Sequence, residues 1–305
     1  MPFRRFALLA VCVAISLMVL TPLASADSFS AVVVYGDSLS DNGNLYALSG
    51  YPPPPYYAGR LSNGPVGVEQ LASRLGAPLY DFAFAGATSG IGNYIDGGTQ
   101  TASGTFGLPG MMAELAGSGA ILSSPLASTG LFVVWGGAND FLIGGSPSVA
   151  VADIDLIVAK LLSVGATHIL VPGMPDLGLT PDYLGVTSAT AYSQQFNGLL
   201  QASLPSGATY VDTFNLLRQV DADPGAYGFT NVTSACFTGL SVCSNPDQYL
   251  FWDGFHPTTA ADAILASEFA SSAAPVPEPS SIVLIGSGLT GLLAMARRGR
   301  RRLDV

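Results

Sequence analysis

The sequence predicts an α/β fold in which helices cover both faces of a parallel sheet. Short apolar runs, among them residues 31–35 and 131–135, end at glycines and have the length of buried strands. Segments with the apolar spacing of helices lie between these runs. Because the runs are apolar throughout rather than alternating, both faces of the sheet are expected to be buried. No linker interrupts residues 27–270, so we expect one domain.

The first half of this domain contains three predicted strands and one predicted helix. Helix 65–75 places Val66, Leu71 and Leu75 on one face, and Gly76 ends it. The three strands each end at a glycine and cover residues 31–35, 79–85 and 131–135.

The second half continues this alternation of strands and helices. The apolar positions of helix 147–162 include Ile154, Ile157 and Leu161, which recur at helical spacing. Strands and helices then follow in turn, at 167–171, 189–204, 208–211 and 257–270. Strands that alternate with helices along the chain are typical of a parallel sheet, which gives the predicted layered architecture.

Residues 1–26 are predicted to be a secretory signal peptide. Two arginines precede an apolar run over 6–20, and a small-x-small cleavage site ends at Ala26. The run is short for a membrane span, which favours cleavage after Ala26 over an uncleaved anchor. Signal peptidase is therefore an expected partner.

Residues 276–305 are predicted to be a second targeting segment. Val276-Pro277-Glu278-Pro279 is followed by an uncharged stretch at 280–296, which is at the lower length limit of a membrane helix, and then by five arginines. A plain one-helix anchor with its arginines in the cytoplasm is one interpretation. The order of the three parts also resembles the PEP-CTERM sorting signal of Gram-negative bacteria. That resemblance implies export, with an exosortase-type enzyme as a partner.

The body between these ends, residues 27–275, is strongly acidic. It carries four Lys or Arg residues against 19 Asp or Glu residues. Nucleic-acid binding is excluded as a function class, because it depends largely on basic residues that neutralise phosphates. The hydrophobic content of 49% likewise excludes a disordered chain.

Two cysteines, Cys236 and Cys243, remain once the signal peptide is removed. Export permits a disulfide between them, and free thiols are the alternative. Two cysteines and two histidines are too few for a convincing zinc site, so we expect no metal.

A candidate nucleophile follows the first strand, at Ser38 in Gly36-Asp37-Ser38. In such folds the ligand site lies beyond the carboxyl ends of the strands. A serine nucleophile needs a base, and the chain has two histidines. His168 lies inside a predicted strand and is interpreted as structural. His256 precedes the last helix and follows Asp253 by three residues, so a short turn can fold the carboxylate back onto the ring, as in a catalytic triad.

Two further strand ends offer hydrogen-bond donors for a developing oxyanion. The backbone N–H of Gly86 follows the second strand, and the side-chain amide of Asn139 follows the third. Each feature alone is also compatible with an ordinary turn. The ordered combination of nucleophile, donors and Asp/His pair favours catalysis.

These blocks together resemble the GDSL family of SGNH hydrolases. The matching segments are 36–44, Gly86, 137–140 and 253–256, in that order. The resemblance implies a flavodoxin-like three-layer α/β/α sandwich with a five-stranded parallel sheet, and it requires no cofactor.

The resemblance also implies a role for each residue of the site. Ser38 would be the nucleophile, and His256, oriented by Asp253, would act as general base and then as general acid. The backbone N–H groups of Ser38 and Gly86 and the amide of Asn139 would form the oxyanion hole.

Four other features rank lower. Residues 41–44 could suggest calcium but lack EF-hand spacing, and Asp221 and Asp223 are expected to be solvated. The segment 51–57, which contains four prolines between tyrosines, is either a recognition loop beside Ser38 or a stiff surface turn. Asp262, where many relatives carry histidine, is assigned no catalytic role.

The sequence therefore predicts an exported serine esterase or lipase that forms an acyl-enzyme on Ser38. Its substrate would be a lipid, a small ester or an acylated polysaccharide. An acyltransferase or an exopolysaccharide acetylesterase would use the same residues. The non-enzymatic alternative is an inert surface or biofilm matrix protein with a hydrolase fold, and the intact catalytic positions argue against it.

Overall fold

A computed structural model of the protein describes residues 29–273. Its main sheet has five parallel strands, in the order β2-β1-β3-β4-β5. Each predicted strand is present, so the predicted α/β fold is confirmed. The strands are β1 (Val32–Gly36), β2 (Leu79–Asp81), β3 (Leu131–Trp135), β4 (His168–Pro172) and β5 (Ala208–Val211).

Helices lie between these strands and after the last of them. In chain order they are α1 (Asn44–Ser49), α2 (Gly67–Leu75), α3 (Met111–Gly117), α4 (Gly119–Leu122), α5 (Leu126–Thr129), α6 (Ala138–Leu142), α7 (Pro147–Ser163), α8 (Thr187–Ser203), α9 (Thr213–Ala222) and α10 (Thr259–Ala273). The four predicted helices correspond to α2, α7, α8 and α10, with ends that move by up to three residues.

The helices form two layers, one on each face of the sheet. Alternate strand residues such as Val33 and Val134 pack with α3, α7 and α8 in one core. The intervening residues, such as Val34 and Val133, pack with α2 and α10 in the other. All of the β1 and β3 side chains are buried, which explains why their sequences are apolar throughout.

Strand β2 is shorter than the predicted segment 79–85. The N–H groups of Phe82 and Phe84 still donate to the carbonyls of Val34 and Gly36, but the N–H of Gly36 donates to the side chain of Glu114, so the regular strand pairing ends at Asp81. A second sheet was not predicted. It pairs β6 (Asn231–Ala235) with β7 (Tyr249–Phe251), and the polar sequence of β6 lacks the apolar pattern of a strand.

Strand β1 lies between β2 and β3, so the chain leaves β1 toward one side of the sheet and later returns on the other. The loops that follow these three strands therefore meet at one edge. This is the topological switch point at which open α/β sheets bind ligands.

The predicted signal peptide (1–26) and the predicted membrane helix (280–296) lie outside residues 29–273. Within the described part of the chain, no helix combines the length and the apolar character that crossing a bilayer requires. Cys236 and Cys243 are joined by a disulfide in the loop between β6 and β7.

Candidate active site

Ser38 lies in the tight turn that follows β1. The carbonyl oxygen of Asp37 accepts hydrogen bonds from the N–H groups of Ser40 and Asp41, and its carboxylate accepts one from Leu39. These bonds end the strand and hold Ser38 at its carboxyl edge. The side chain of Asp37 is buried, and burial raises its pKa to about 7.

His256 lies between Ser38 and Asp253. Its Nε2 is 2.9 Å from the Oγ of Ser38, and its Nδ1 is 2.9 Å from each carboxylate oxygen of Asp253. The Oδ1 atom of Asp253 also accepts the backbone N–H groups of Phe255 and His256. The residues 253–256 therefore form the turn that the spacing predicted, and the structure brings together all three predicted triad residues.

The hydrogen-bond partners determine the tautomer of His256. An ionised carboxylate can only accept, so Nδ1 carries the proton that bonds to Asp253. In the neutral ring Nε2 then presents a lone pair to the hydroxyl of Ser38. This is the arrangement in which a histidine can take the proton from a serine.

The two ionisable members of this trio shift each other's pKa. Burial by itself would raise the pKa of Asp253, but the charge of His256 and the hydrogen bonds to the carboxylate lower it to about 2. Burial by itself would lower the pKa of His256, but the carboxylate of Asp253 outweighs it, so the pKa is raised above its usual 6.5. Asp253 therefore remains ionised whenever His256 titrates.

Two backbone N–H groups near Ser38 are available to a ligand. Within residues 29–273, neither Ser38 nor Gly86 donates its N–H to another group of the protein. Gly86 has φ of +83°, and a Cβ there would overlap the side chains of Asn93 and Ile95. Only glycine fits this turn, because its positive φ and the close side chains exclude a Cβ.

Asn139 lies in the first turn of α6, directly after β3. Its Nδ2 donates to the carbonyl of Ala87 at 3.0 Å and is 3.4 Å from Oδ2 of Asp37. The amide thus lies between the carbonyl of Ala87, which follows Gly86, and the carboxylate of Asp37, which precedes Ser38. The weak contact to Asp37 leaves one N–H that a bound oxyanion could take.

A buried carboxyl group that the sequence reasoning missed supports this edge. Glu114 of α3 is buried, and it accepts hydrogen bonds from the N–H of Gly36 at 2.9 Å and of Phe84 at 3.0 Å. Burial raises its pKa well above the usual value. Glu114 therefore joins the end of β1 to the segment that leads to Gly86. An acidic residue in an otherwise apolar helix was the available signal.

The lower-ranked residues have structural contacts. The carboxylate of Asp41 accepts four backbone N–H groups, which makes 41–44 a turn. The buried carboxyl of Asp262 accepts from Ser62 and Gly67. No group of three or more potential metal ligands occurs within residues 29–273.

His168 and Asp223 contact groups other than Ser38, Asp253 and His256. His168 begins β4, at the edge of the sheet opposite Ser38, and packs its ring against Phe29. Asp223 caps the short helical turn Pro224–Tyr227. In the segment 51–57, by contrast, Tyr56 contacts the site, because its hydroxyl is 2.9 Å from Oδ2 of Asp253.

A family described as GDSL-like lipase/acylhydrolase matches residues 32–269 of the chain. The chain belongs to this family. It is a hydrolase of ester bonds, and its parallel sheet with helices on both faces forms a three-layer α/β/α sandwich. A GDSL esterase/lipase of Arabidopsis thaliana is 26% identical, over 78% of this chain and 87% of the relative.

Two other similar proteins come from bacteria. The phosphatidylcholine-sterol acyltransferase of Aeromonas hydrophila is 27% identical, over 81% of this chain and 91% of its own. The crystal structure of a lipolytic G-D-S-L family member from Veillonella parvula is 14% identical with a TM-score of 0.46, over 79% of this chain and 96% of its own. Residues 275–302 of the GDSL chain match the PEP-CTERM protein-sorting motif, which indicates export and sorting to the cell surface.

Proposed function

We propose that this GDSL hydrolase is an exported serine esterase or lipase that hydrolyses carboxylic esters through an acyl-enzyme on Ser38. The observation that carries this proposal is the position of His256, 2.9 Å from the hydroxyl of Ser38 on one side and from the carboxylate of Asp253 on the other. A base with an ionised partner on one nitrogen and a hydroxyl on the other can activate that hydroxyl.

Acylation begins when Ser38 Oγ attacks the ester carbonyl carbon and its proton passes to Nε2 of His256. The carbonyl oxygen becomes an oxyanion, which accepts hydrogen bonds from the N–H groups of Ser38 and Gly86 and from the amide of Asn139. Asp253 stabilises the imidazolium that forms. The C–O bond to the alcohol then breaks, and His256 gives its proton to the leaving alkoxide.

Deacylation repeats these steps with water as the nucleophile. His256 takes a proton from water, the hydroxide oxygen bonds to the acyl carbon, and the bond to Ser38 Oγ breaks. The proton returns from His256 to Ser38, and the acid leaves. Each proton is therefore taken and returned by the same nitrogen, and the cycle requires no cofactor.

The ends of the chain support export of this enzyme. We propose cleavage by signal peptidase after Ala26 and a hydrolase domain over 27–275. The sorting segment at 276–305 would be processed by an exosortase-type enzyme in a Gram-negative bacterium, with 280–296 crossing the membrane before sorting. The match to the sorting motif supports the C-terminal part of this proposal.

The experiment that tests the proposed function is hydrolysis of nitrophenyl esters of increasing acyl length by purified residues 27–275. We expect turnover, together with labelling of Ser38 by a serine-reactive phosphonate that mass spectrometry locates. The preferred acyl length would then separate an acetylesterase from a lipase. A folded protein with no turnover at any length and no label on Ser38 would favour the inert matrix protein.

The rate of ester hydrolysis is expected to fall as the medium becomes acidic. Protonated His256 cannot accept the proton of Ser38, and the Asp253 carboxylate raises the pKa of His256 above 6.5. The midpoint of the acid limb of kcat/KM should therefore lie above pH 6.5, measured between pH 5 and 9. His168→Gln, at the other histidine, should leave this midpoint in place. An acid limb centred well below pH 6.5 would contradict the assignment of His256.

Acyl transfer to an alcohol is the second candidate function. The Aeromonas hydrophila relative, which is a phosphatidylcholine-sterol acyltransferase, favours it. The same acyl-enzyme would form, but an acceptor hydroxyl would replace water in the second half. Adding an alcohol acceptor to the ester assay and quantifying the new ester against the free acid separates the two functions.

A further inference from the structure

Tyr56 contacts Asp253, the acidic member of the proposed triad of Ser38, His256 and Asp253. We propose that Tyr56 is a positioning residue of the proposed triad. Its hydroxyl donates a hydrogen bond to Oδ2 of Asp253, although the two residues are 197 positions apart in the sequence. This inference rests on the proposed function. It concerns a residue outside the four blocks that define the family resemblance.

The direction of this hydrogen bond follows from the chemistry of the two groups. The carboxylate of Asp253 is ionised and can only accept. Burial and the neighbouring negative charge raise the pKa of Tyr56, so its phenol keeps its proton. Tyr56 therefore donates throughout the range in which His256 titrates.

The hydrogen bond from Tyr56 restrains Oδ2 of Asp253, the oxygen that accepts no backbone N–H from the local turn. Oδ1 of Asp253 accepts two backbone N–H groups from its own turn as well as the ring of His256. Within the described part of the chain, Oδ2 accepts only from His256 and from Tyr56. The phenol is thus the one donor from outside residues 253–256 that fixes the rotation of the carboxylate.

An aromatic cluster holds the ring of Tyr56 in place. Its ring centroid is 5.5 Å from that of Phe237 and 6.3 Å from that of Trp252, and both contacts are edge-to-face. Phe237 and Trp252 stack on each other at 5.7 Å, and the N–H of Phe237 donates to the carbonyl of Trp252. Phe237 directly follows Cys236 of the disulfide. The position of the phenol is therefore determined by packing and by a closed loop.

Loss of the phenol is expected to act on His256 through Asp253. A hydrogen bond to a carboxylate withdraws charge from it, so without the bond the carboxylate attracts the imidazolium proton more strongly. The pKa of His256 should rise in Tyr56→Phe. The carboxylate is also free to rotate away from the ring, so the rate of proton transfer should fall. Charge-assisted hydrogen bonds are strong enough for a decrease in kcat of about tenfold, with little change in KM.

The test compares Tyr56→Phe with Tyr57→Phe, its exposed neighbour in the same loop, in the exported protein. NMR titration of the two histidines measures the pKa of His256 directly, and His168 serves as an internal reference. For Tyr56→Phe we expect a rise of about half a pH unit, a matching shift of the acid limb of kcat/KM, and the tenfold loss of kcat. Tyr57→Phe should match the wild type in all three measurements. Phe237→Leu loosens the cluster and leaves the phenol intact. It should change the pKa of His256, the acid limb and kcat in the same directions as Tyr56→Phe, with smaller changes.

Two results would overturn the proposal. One is an unchanged pKa of His256 in Tyr56→Phe. The other is a fall in kcat that is matched by a fall in Tm with no shift of the pH profile, which would make the contact merely structural. The NMR measurement does not depend on turnover. If the wild type hydrolysed no ester but the pKa of His256 still shifted in Tyr56→Phe, the proposed function would be rejected. The effect of Tyr56 on Asp253 and His256 would then still be supported.

Discussion

Ser38→Ala is expected to lower ester turnover by at least about 10⁴-fold, because no acyl-enzyme can form without the hydroxyl oxygen. His256 would have no proton to take, and the residual rate would come from the oxyanion donors and from substrate binding. The fold should be unaffected, since the change removes one oxygen atom whose partner is the ring of His256. Steady-state kinetics on the preferred nitrophenyl ester measures the effect.

Ser40→Ala is the matched control for this change. Ser40 lies two residues further along the same turn and is buried, and its hydroxyl has no hydrogen-bond partner within residues 29–273. Its loss should therefore leave kcat/KM close to that of the wild type. Turnover that survives Ser38→Ala at the wild-type rate would reject the acyl-enzyme on Ser38.

Glu114→Ala is expected to lower the free energy of unfolding by about 2–4 kcal/mol. The substitution leaves the buried N–H of Gly36 without an acceptor and the half-buried N–H of Phe84 with only a 3.3 Å contact to the carbonyl of Gly36, and it creates a cavity beneath the carboxyl end of β1. Activity should fall as well, because these two N–H groups connect the turn of Ser38 to the segment before Gly86. Urea unfolding followed by tryptophan fluorescence measures the stability.

Glu114→Gln removes the titration of this side chain and, because an amide has one acceptor oxygen where the carboxyl uses two, it also removes one of the two hydrogen bonds. The raised pKa means that the carboxyl stabilises the fold at low pH and loses this contribution as the pH rises through its folded-state pKa. The amide does not titrate, so its stability deficit should be largest near pH 4 and smaller at pH 8. A deficit that grows with pH would show that Glu114 is stabilising as an anion.

Local sequence signals predicted much of the fold and brought the right residues together as a candidate site. The apolar runs at β1 and β3 predicted buried strands because every side chain in them is enclosed. The spacing of Asp253 and His256 predicted a turn that the hydrogen bonds to Oδ1 of Asp253 form. β2 was predicted too long, because the N–H of Gly36 donates to the side chain of Glu114 instead of to the neighbouring strand, a contact that apolar patterning does not encode.

The sequence by itself determined which candidate groups the chain offers and in what order they follow the strands, because a serine, an asparagine and an Asp/His pair are residue types that the sequence places at strand ends and before the last helix. Only the tertiary structure decided what supports them. Glu114 contacts Gly36 across 78 residues and Tyr56 contacts Asp253 across 197. Apolar periodicity and turn-forming residues predict only contacts between residues that are close in the sequence. A hydrogen bond between distant residues depends instead on where packing places each loop, and that information is spread over the whole core.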